Sequence, residues 1–415
     1  MRGIIRHRPY QKVILLVFGV MLMGPILEPT SSIMAVKVPQ QSAASAAQVS
    51  ITPSPTPSVT TTPVAAVSKN PAAASKVAVP ATANYGSFGI ASGLASFSPA
   101  ELSVKLADMK AMGAKWVRYD IEWSNIEYRG PGQYDWTDYD KVVKAVSASG
   151  LKSLAIIDYT PEWARRAECR DTPMCAPASV AAYAGFAGQV ARRYSAYGVH
   201  HYEIWNEPNI TTFFKPAASP AEYAAMLRAA NAAIKSVDSQ AFVVSGGTAP
   251  AGTGGGNYAP TDFVNGIYAA GAGGSFDALG HHPYTWPYSP AYPNAYNAWG
   301  QLTQLHNIMS ARGDGAKQIW ITEFGAPTGG PGGLAANGMS TAEARADHVT
   351  EALEARIVAD AVGAVRQMPW VGPFFWYSYQ DAGTSNDTVE NFFGLLRADG
   401  SRKPAYFVYK QAMGR

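Results

Sequence analysis

Between residues 86 and 379, eight short apolar runs alternate with amphipathic stretches that open on helix-capping residues, an order that admits few α/β folds. The runs are GSFGIAS (86–92), KWVRYDIEW (115–123), LKSLAIID (151–158), HHYEIWNE (200–207), FVVSGG (242–247), FDALGHH (276–282), QIWITEFG (318–325) and PFFWYSY (373–379). Helix starts are written at Ser98-Pro99-Ala100-Glu101, Ser219-Pro220-Ala221-Glu222 and Ser340-Thr341-Ala342-Glu343, where hydroxyl and glutamate can serve the orphan N–H groups of a first turn. Gly113, Gly150 and Gly198 fall where periodic stretches end and a left-handed residue is wanted. Eight strand–helix units predict a (β/α)8 TIM barrel over residues 85–415 better than an open sheet. The GTGGGN stretch at 252–257 has no following Lys and no strand-to-helix setting, so it reads as a loop and not a phosphate cradle.

Two segments precede the barrel. Arg2, Arg6, Arg8 and Lys12 are followed by an apolar run from Val13 to Leu27, the pattern of a signal peptide occupying residues 1–35. Retained, residues 13–27 would act as a signal anchor tethering the protein to a membrane. Residues 36–84 are rich in Ala, Ser, Thr and Pro and too poor in large apolar residues for a core, which predicts a disordered linker able to carry O-glycans. The expected location is secreted or cell-envelope associated, where Cys169 and Cys175 can form a disulfide across a short loop.

The formal charge of +3 misleads, because residues 1–84 hold seven Lys/Arg against one Glu and leave the barrel mildly acidic. A surface that binds nucleic acid needs clustered Lys/Arg to neutralise phosphates, so nucleic acid is excluded as a partner.

In a barrel of this kind the chemistry sits at the C-terminal ends of the strands. Those ends carry Arg118 and Asp120, then Asp158, Asn206-Glu207, the His281-His282-Pro283-Tyr284 run, Glu323 and Trp376. Two strand-end glutamates meet the need of glycoside cleavage for one proton donor and one negative charge at the anomeric carbon. The alternative is that Glu207 and Glu323 are ordinary loop carboxylates.

The WNEPN run at 205–209 with ITEFG at 321–325 resembles clan A of the glycoside hydrolases. RYDIEW (118–123), YTPEWA (159–164), HHPY (281–284) and FFWYSYQD (374–381) extend the resemblance across the whole barrel. Within the clan the chain is similar to family 39, the β-xylosidase and matrix-polysaccharide type, and next to family 5, the cellulase type. The resemblance implies Glu207 as general acid/base and Glu323 as nucleophile, with Arg118 and Tyr284 holding Glu323 ionised. It further implies that Asn206 bonds the sugar 2-hydroxyl, His282 orients its neighbours and Trp376 forms the floor beneath the ring. Strand alternation points His282 inward and His281 outward. Asp158 and Trp163, with Glu162, are expected on the loop after the third strand as substrate contacts. The cellulase pattern has a His near there that this sequence lacks.

Other features stay open. Asp120 and Trp123 either line the pocket or brace their loop, and Trp205 is expected in the outer layer. The aromatic loop from Pro283 to Trp299 either lengthens the cleft or folds upon its own rings. The expected activity is a retaining β-glycosidase acting on a β-linked poly- or oligosaccharide, with no metal or organic cofactor. The rivals are a catalytically inactive carbohydrate-binding barrel and a metal-dependent hydrolase built on His281, His282 and Asp277.

Overall fold

The computed structural model describes residues 87–293 and 297–414. The signal segment, linker and tether expected at 1–84, and Tyr296 of the aromatic loop, lie outside the described residues. Among the described residues no helix is long and apolar enough to cross a membrane.

Eight parallel strands close into one barrel. In chain order they are β1 (Phe88–Ala91), β2 (Trp116–Glu122), β3 (Lys152–Asp158), β4 (His201–Ile204), β5 (Phe242–Ser245), β6 (Ala278–His281), β7 (Gln318–Phe324) and β10 (Val371–Tyr377). A small parallel pair outside the barrel, β8 (Gly333–Ala335) and β9 (Ala346–Val349), interrupts the count. Around the barrel run α1 (Pro99–Met112), the single turn α2 (Trp123–Ile126), α3 (Thr137–Ser149), α4 (Val180–Tyr194), α5 (Pro220–Lys235), α6 (Pro260–Ala269), α7 (Ala298–Ala311), α8 (Glu351–Val365) and α9 (Pro404–Met413).

Local chemistry sets the ends of the helices. Ser98 and Glu101 form a reciprocal capping box on α1, and Ser219 caps α5 through the Glu222 N–H. Gly113, Gly150 and Gly198 adopt φ of 112°, 75° and 81°, the left-handed region that glycine enters without a Cβ clash. The third expected cap behaves otherwise: Ser340 opens only a short turn, while the Glu343 carboxylate accepts the backbone N–H groups of Ala336, Asn337 and Gly338. Helix α8 starts later, where the Thr350 hydroxyl accepts the Leu353 N–H, and Glu343 braces the connection before it.

Alternation along each strand sorts the core into two layers. Trp116, Leu154, Val244, Ala278, Trp320 and Phe375 fill the lower barrel interior, and Val117, Ile157, Ile204, Leu279, Ile321 and Phe374 pack outward against the helices. Above the apolar plug the inward positions turn polar, with Arg118, Glu203, His282 and Thr322. On β7 the register to β10 advances from Ile321↔Phe374 to Phe324↔Trp376, three residues against two. This bulge brings Thr322 and Glu323 together on the pocket side and returns Phe324 to the outer layer, where its ring packs on Trp376.

Candidate active site

A cavity of about 400 Å3 opens at the C-terminal end of the barrel, lined by Arg118, Asp120, Glu122, Asn206, Glu207, Tyr284, Glu323, Tyr377 and Glu390 among others. At its base lies Arg118, 5% exposed, whose guanidinium reaches three acceptors: Glu203 Oε2 at 2.5 Å, Glu323 Oε1 at 2.5 Å and Asn206 Oδ1 at 3.1 Å. A planar, permanently charged fork suits such a junction. The other Glu323 oxygen accepts the Tyr284 hydroxyl at 2.8 Å, so both oxygens of this carboxylate are held as acceptors.

Glu203, absent from the sequence reading, anchors the site from below. Fully buried, it accepts hydrogen bonds from Arg118, the Gly247 N–H and the Thr322 hydroxyl. It follows from strand alternation: Glu203 lies between Tyr202 and Ile204, which both pack in the outer layer.

Past β4 the chain leaves the strand conformation. Trp205 and Glu207 have φ of 69° and 44°, values that non-glycine residues rarely adopt. The twist sends Trp205 outward against Tyr159, Tyr183 and Phe214, as its sequence suggested, and admits both Asn206 and Glu207 to the cavity. Asn209 secures the segment by bonding the Ala249 backbone at both N–H and carbonyl, and the Tyr258 carbonyl.

Glu207 is 2% exposed. Burial first, and the nearby Glu323 and Glu390 second, hold its carboxyl well above the usual carboxylate range. Its Oε1 lies 2.9 Å from His282 Nδ1, while no group among the described residues bonds its Oε2. His282 Nε2 is fixed at 2.9 Å from the Thr322 hydroxyl, and burial and the Arg118 charge push the ring's basicity well down, so a neutral imidazole orients the acid. His281 bonds Thr248 and is buried outside the site.

Glu207, His282 and Glu323 each offer an atom within 4.8 Å of the others, close enough to hold a metal ion in principle. The fit is poor, because the Arg118 cation already contacts Glu323 and both His282 nitrogens are engaged. Asp277 of the metal reading lies away from the site, bonding Lys235 and the Val243 N–H.

Three expectations need correction, and one open alternative is decided. Trp376 is not the floor: it is fully buried in the outer layer against Phe324 and Tyr409, and Tyr377 lines the cavity, since alternation turns Phe375 and Tyr377 inward. Trp163 does not reach the cavity, because its indole N–H donates to the Glu127 carbonyl and its ring packs edge-on to Trp123. Asp158 lies behind the cavity wall, fully buried. The aromatic loop folds upon its own rings: Tyr288 stacks on Tyr292, Trp286 packs on Phe393 and Trp299 on Phe324, and among the described residues of the loop Tyr284 is the ring on the wall.

Of the open residues, Asp120 lines the cavity and Trp123 packs in the outer core. Glu390, on the loop after β10, was not anticipated. It faces the cavity beside the Tyr377 hydroxyl, and burial and Glu323 push its carboxyl up to about 7. Cys169 and Cys175 are joined in a disulfide whose loop places Thr172 and Met174 on the wall.

Residues 85–358 match the cellulase family, glycosyl hydrolase family 5. The chain belongs to glycosyl hydrolase family 5. The sequence leaned toward family 39, which is also represented among structures of like fold. A family 39 glycoside hydrolase from Bacteroides cellulosilyticus WH2 superposes with a TM-score of 0.62 at 21% identity, over 79% of this chain and 63% of that one. A family 5 subfamily 18 protein from Streptomyces cattleya in complex with GlcNAc gives 0.55 at 15% identity, over 79% of each chain. These likenesses show the (β/α)8 fold; membership of glycoside hydrolase clan A comes with the family 5 match. A β-amylase from Medicago sativa is 36% identical over 61 residues, a local match covering 15% of this chain and 12% of that protein.

Proposed function

We propose that this hydrolase is an exported, retaining β-glycosidase in which Glu323 attacks the anomeric carbon and Glu207 protonates the departing oxygen. Glu207 then takes a proton from water, which displaces Glu323 and releases the sugar with its configuration kept. The carrying observation is the spacing: a Glu207 oxygen and a Glu323 oxygen lie within 4.8 Å of each other. Retention calls for carboxyls roughly 5 to 5.5 Å apart, while inversion needs about 6.5 Å or more to seat a water. Their surroundings divide the labour, since Glu207 is buried with its proton kept and Glu323 receives donors on both oxygens. Asn206, its Oδ1 bound to Arg118, has its amide donors left for a sugar hydroxyl. The structures of like fold include proteins in complex with GlcNAc and with a mannosyl-β-1,4-GlcNAc disaccharide, which supports a β-linked carbohydrate substrate.

Export rests on the basic-then-apolar N-terminus and accords with the disulfide. Mass spectrometry of the mature N-terminus distinguishes cleavage near residue 35 from a tether retained through residues 13–27. The test of the activity is product release from β-xylans, β-glucans, β-mannans and cell-envelope polysaccharides by the intact chain and by Glu323→Gln. Proton NMR of the first-formed anomer reads the stereochemistry. Release by the intact chain alone, with β-product first, supports the proposal. Retention of a polysaccharide without release favours the carbohydrate-binding barrel.

A further inference from the structure

We infer that the cavity wall built by the ends of β2 and β3 is a subsite for a positively charged sugar ring, an amino sugar whose amine carries no acetyl group. The inference rests on the glycosidase reading and narrows its substrate class.

Asp120 and Glu122 alternate along β2 and both line the cavity. In the next strand Asp158 pairs in register with Glu122, and it stands close beside Asp120. Asp158 is fully buried directly behind these two and does not itself line the cavity; apart from a proton shared with Asp120, neither of its oxygens receives a hydrogen bond from any donor among the described residues. Its neighbours are acids: Asp120 and Glu122 are, after burial, the main influences that raise its carboxyl. The two carboxyls can bond each other only by sharing a proton.

Three carboxyls thus sit together with little positive charge to balance them. The nearest cation, Arg118, is bonded to Glu203, Glu323 and Asn206. Among the described residues, Lys215 also lines the cavity but forms no ion pair with the three acids. Among the described residues Glu122 receives one neutral side-chain donor, the Asn125 amide, at 2.7 Å. Burial is costly for carboxylates so placed, and burial with Asp120 nearby pushes Glu122 up to about 8. A ligand that brings positive charge into this wall lets the acids ionise and relieves that cost.

The arrangement selects the kind of cation. A divalent ion needs several oxygens drawn tightly around one point. Among the described residues the three-member group that converges to that degree is Glu207, His282 and Glu323, not Asp120, Glu122 and Asp158. An ammonium has three donors and can bond Asp120 and Glu122 from the cavity without their converging, with Asp158 behind them adding negative charge. Because the wall is continuous with the cavity that holds Glu207 and Glu323, the ammonium belongs on a ring of the chain being cut or on its neighbour.

The experiment titrates the full chain bearing Glu323→Gln with glucosamine oligomers of β-1,3, β-1,4 and β-1,6 linkage. Their N-acetylated counterparts and the matching glucose oligomers serve as neutral probes, with calorimetry in low salt and in high salt. The expected result is binding of a glucosamine oligomer at least tenfold tighter than its neutral counterparts, weakened by salt. That preference should vanish when Glu122→Gln, alone or with Asp120→Asn, is added to a chain of unchanged Tm. Equal affinities, no binding of any glucosamine oligomer, or a preference that survives both substitutions would overturn it. Hydrolysis by the intact chain separates this proposal from the one beneath it. Cleavage of neutral glycans without preference for de-N-acetylated ones sinks the subsite and leaves the glycosidase standing. Tight glucosamine binding without cleavage of any polymer does the reverse.

Discussion

Gly247 lies against the His282 ring so closely that a Cβ at this position would overlap its Nε2 and crowd the Thr322 hydroxyl. The glycine is therefore a spacer between the end of β5 and the residue that orients the acid. Gly247→Ala should shift His282, and with it Glu207, by a fraction of an ångström to an ångström. Misplacements of that size cost on the order of 10²-fold in rate. The expected outcome is a kcat reduced about that much with far-UV circular dichroism unchanged; an unaltered kcat would show that the ring has another place to go.

The raised carboxyl of Glu207 links activity and stability to pH. The folded state keeps this proton more tightly than the unfolded chain, so its contribution to stability is complete below the ordinary carboxylate range. It is lost as pH rises toward the higher folded value. Glu207→Gln removes the loss, and its Tm should gain on that of the unsubstituted protein as pH rises above the ordinary carboxylate range. The same variant should lose turnover on poor leaving groups and keep more of it on activated aryl glycosides, which need no proton. Thermal scans against pH and a leaving-group series check the two halves separately.

Arg118→Lys keeps the charge and loses the fork. A single ammonium cannot reproduce the links to Glu203, Glu323 and Asn206, so kcat/KM should fall by roughly 10²–10³, an electrostatic loss of the oxyanion-hole class. Leaving Glu203 buried with a weakened partner should also cost stability, toward the ~3–5 kcal/mol seen when buried pairs are broken. Denaturant titration and steady-state kinetics are the measurements.

Neighbours on β10 should respond in opposite ways. Trp376→Ala empties a fully buried site in the outer layer and should destabilise by about 3–5 kcal/mol. Tyr377→Ala, on the cavity, should chiefly raise KM. If Trp376 touched the sugar instead, its replacement by Phe would impair binding as much as the Tyr377 change.

Reduction of the Cys169–Cys175 bridge frees a short loop, worth about 2 kcal/mol by loop-closure arithmetic. Since that loop carries Thr172 and Met174 onto the cavity wall, Cys169→Ser with Cys175→Ser should raise KM more than it lowers kcat. Kinetics on the double variant decide this.

What the sequence discloses depends on how regular the backbone is. The barrel was readable because apolar runs are local signals repeated eight times, with helix caps written between some of them. His282 was readable because β6 alternates without interruption, placing it inward and His281 outward. Trp376 was misplaced because a motif, aromatic after the eighth strand, was followed where the parity of the strand should have decided. The same parity would have disclosed Glu203. Glu390 carries no such signal: it reaches the cavity through a loop whose path is fixed by distant groups, among them the buried Lys403, which bonds Asp381 and the Phe392 carbonyl. Asp158 and Trp163 belonged to the right end of the barrel, but neighbouring side chains cover one and engage the other.

The extra residue in β7 has an evolutionary reading. Ile321 and Phe324 both face the helices, so the bulge gives the pocket two adjacent residues where regular alternation allows one. Loss of Thr322 would leave Glu323 as the single inward residue of this stretch, while the hydroxyl that bonds both His282 and Glu203 would be gone. A single in-frame codon loss would therefore silence the site with both glutamates still encoded. Lineages of this fold that keep carbohydrate affinity without turnover should include some with that gap in the strand and an intact pair of glutamates.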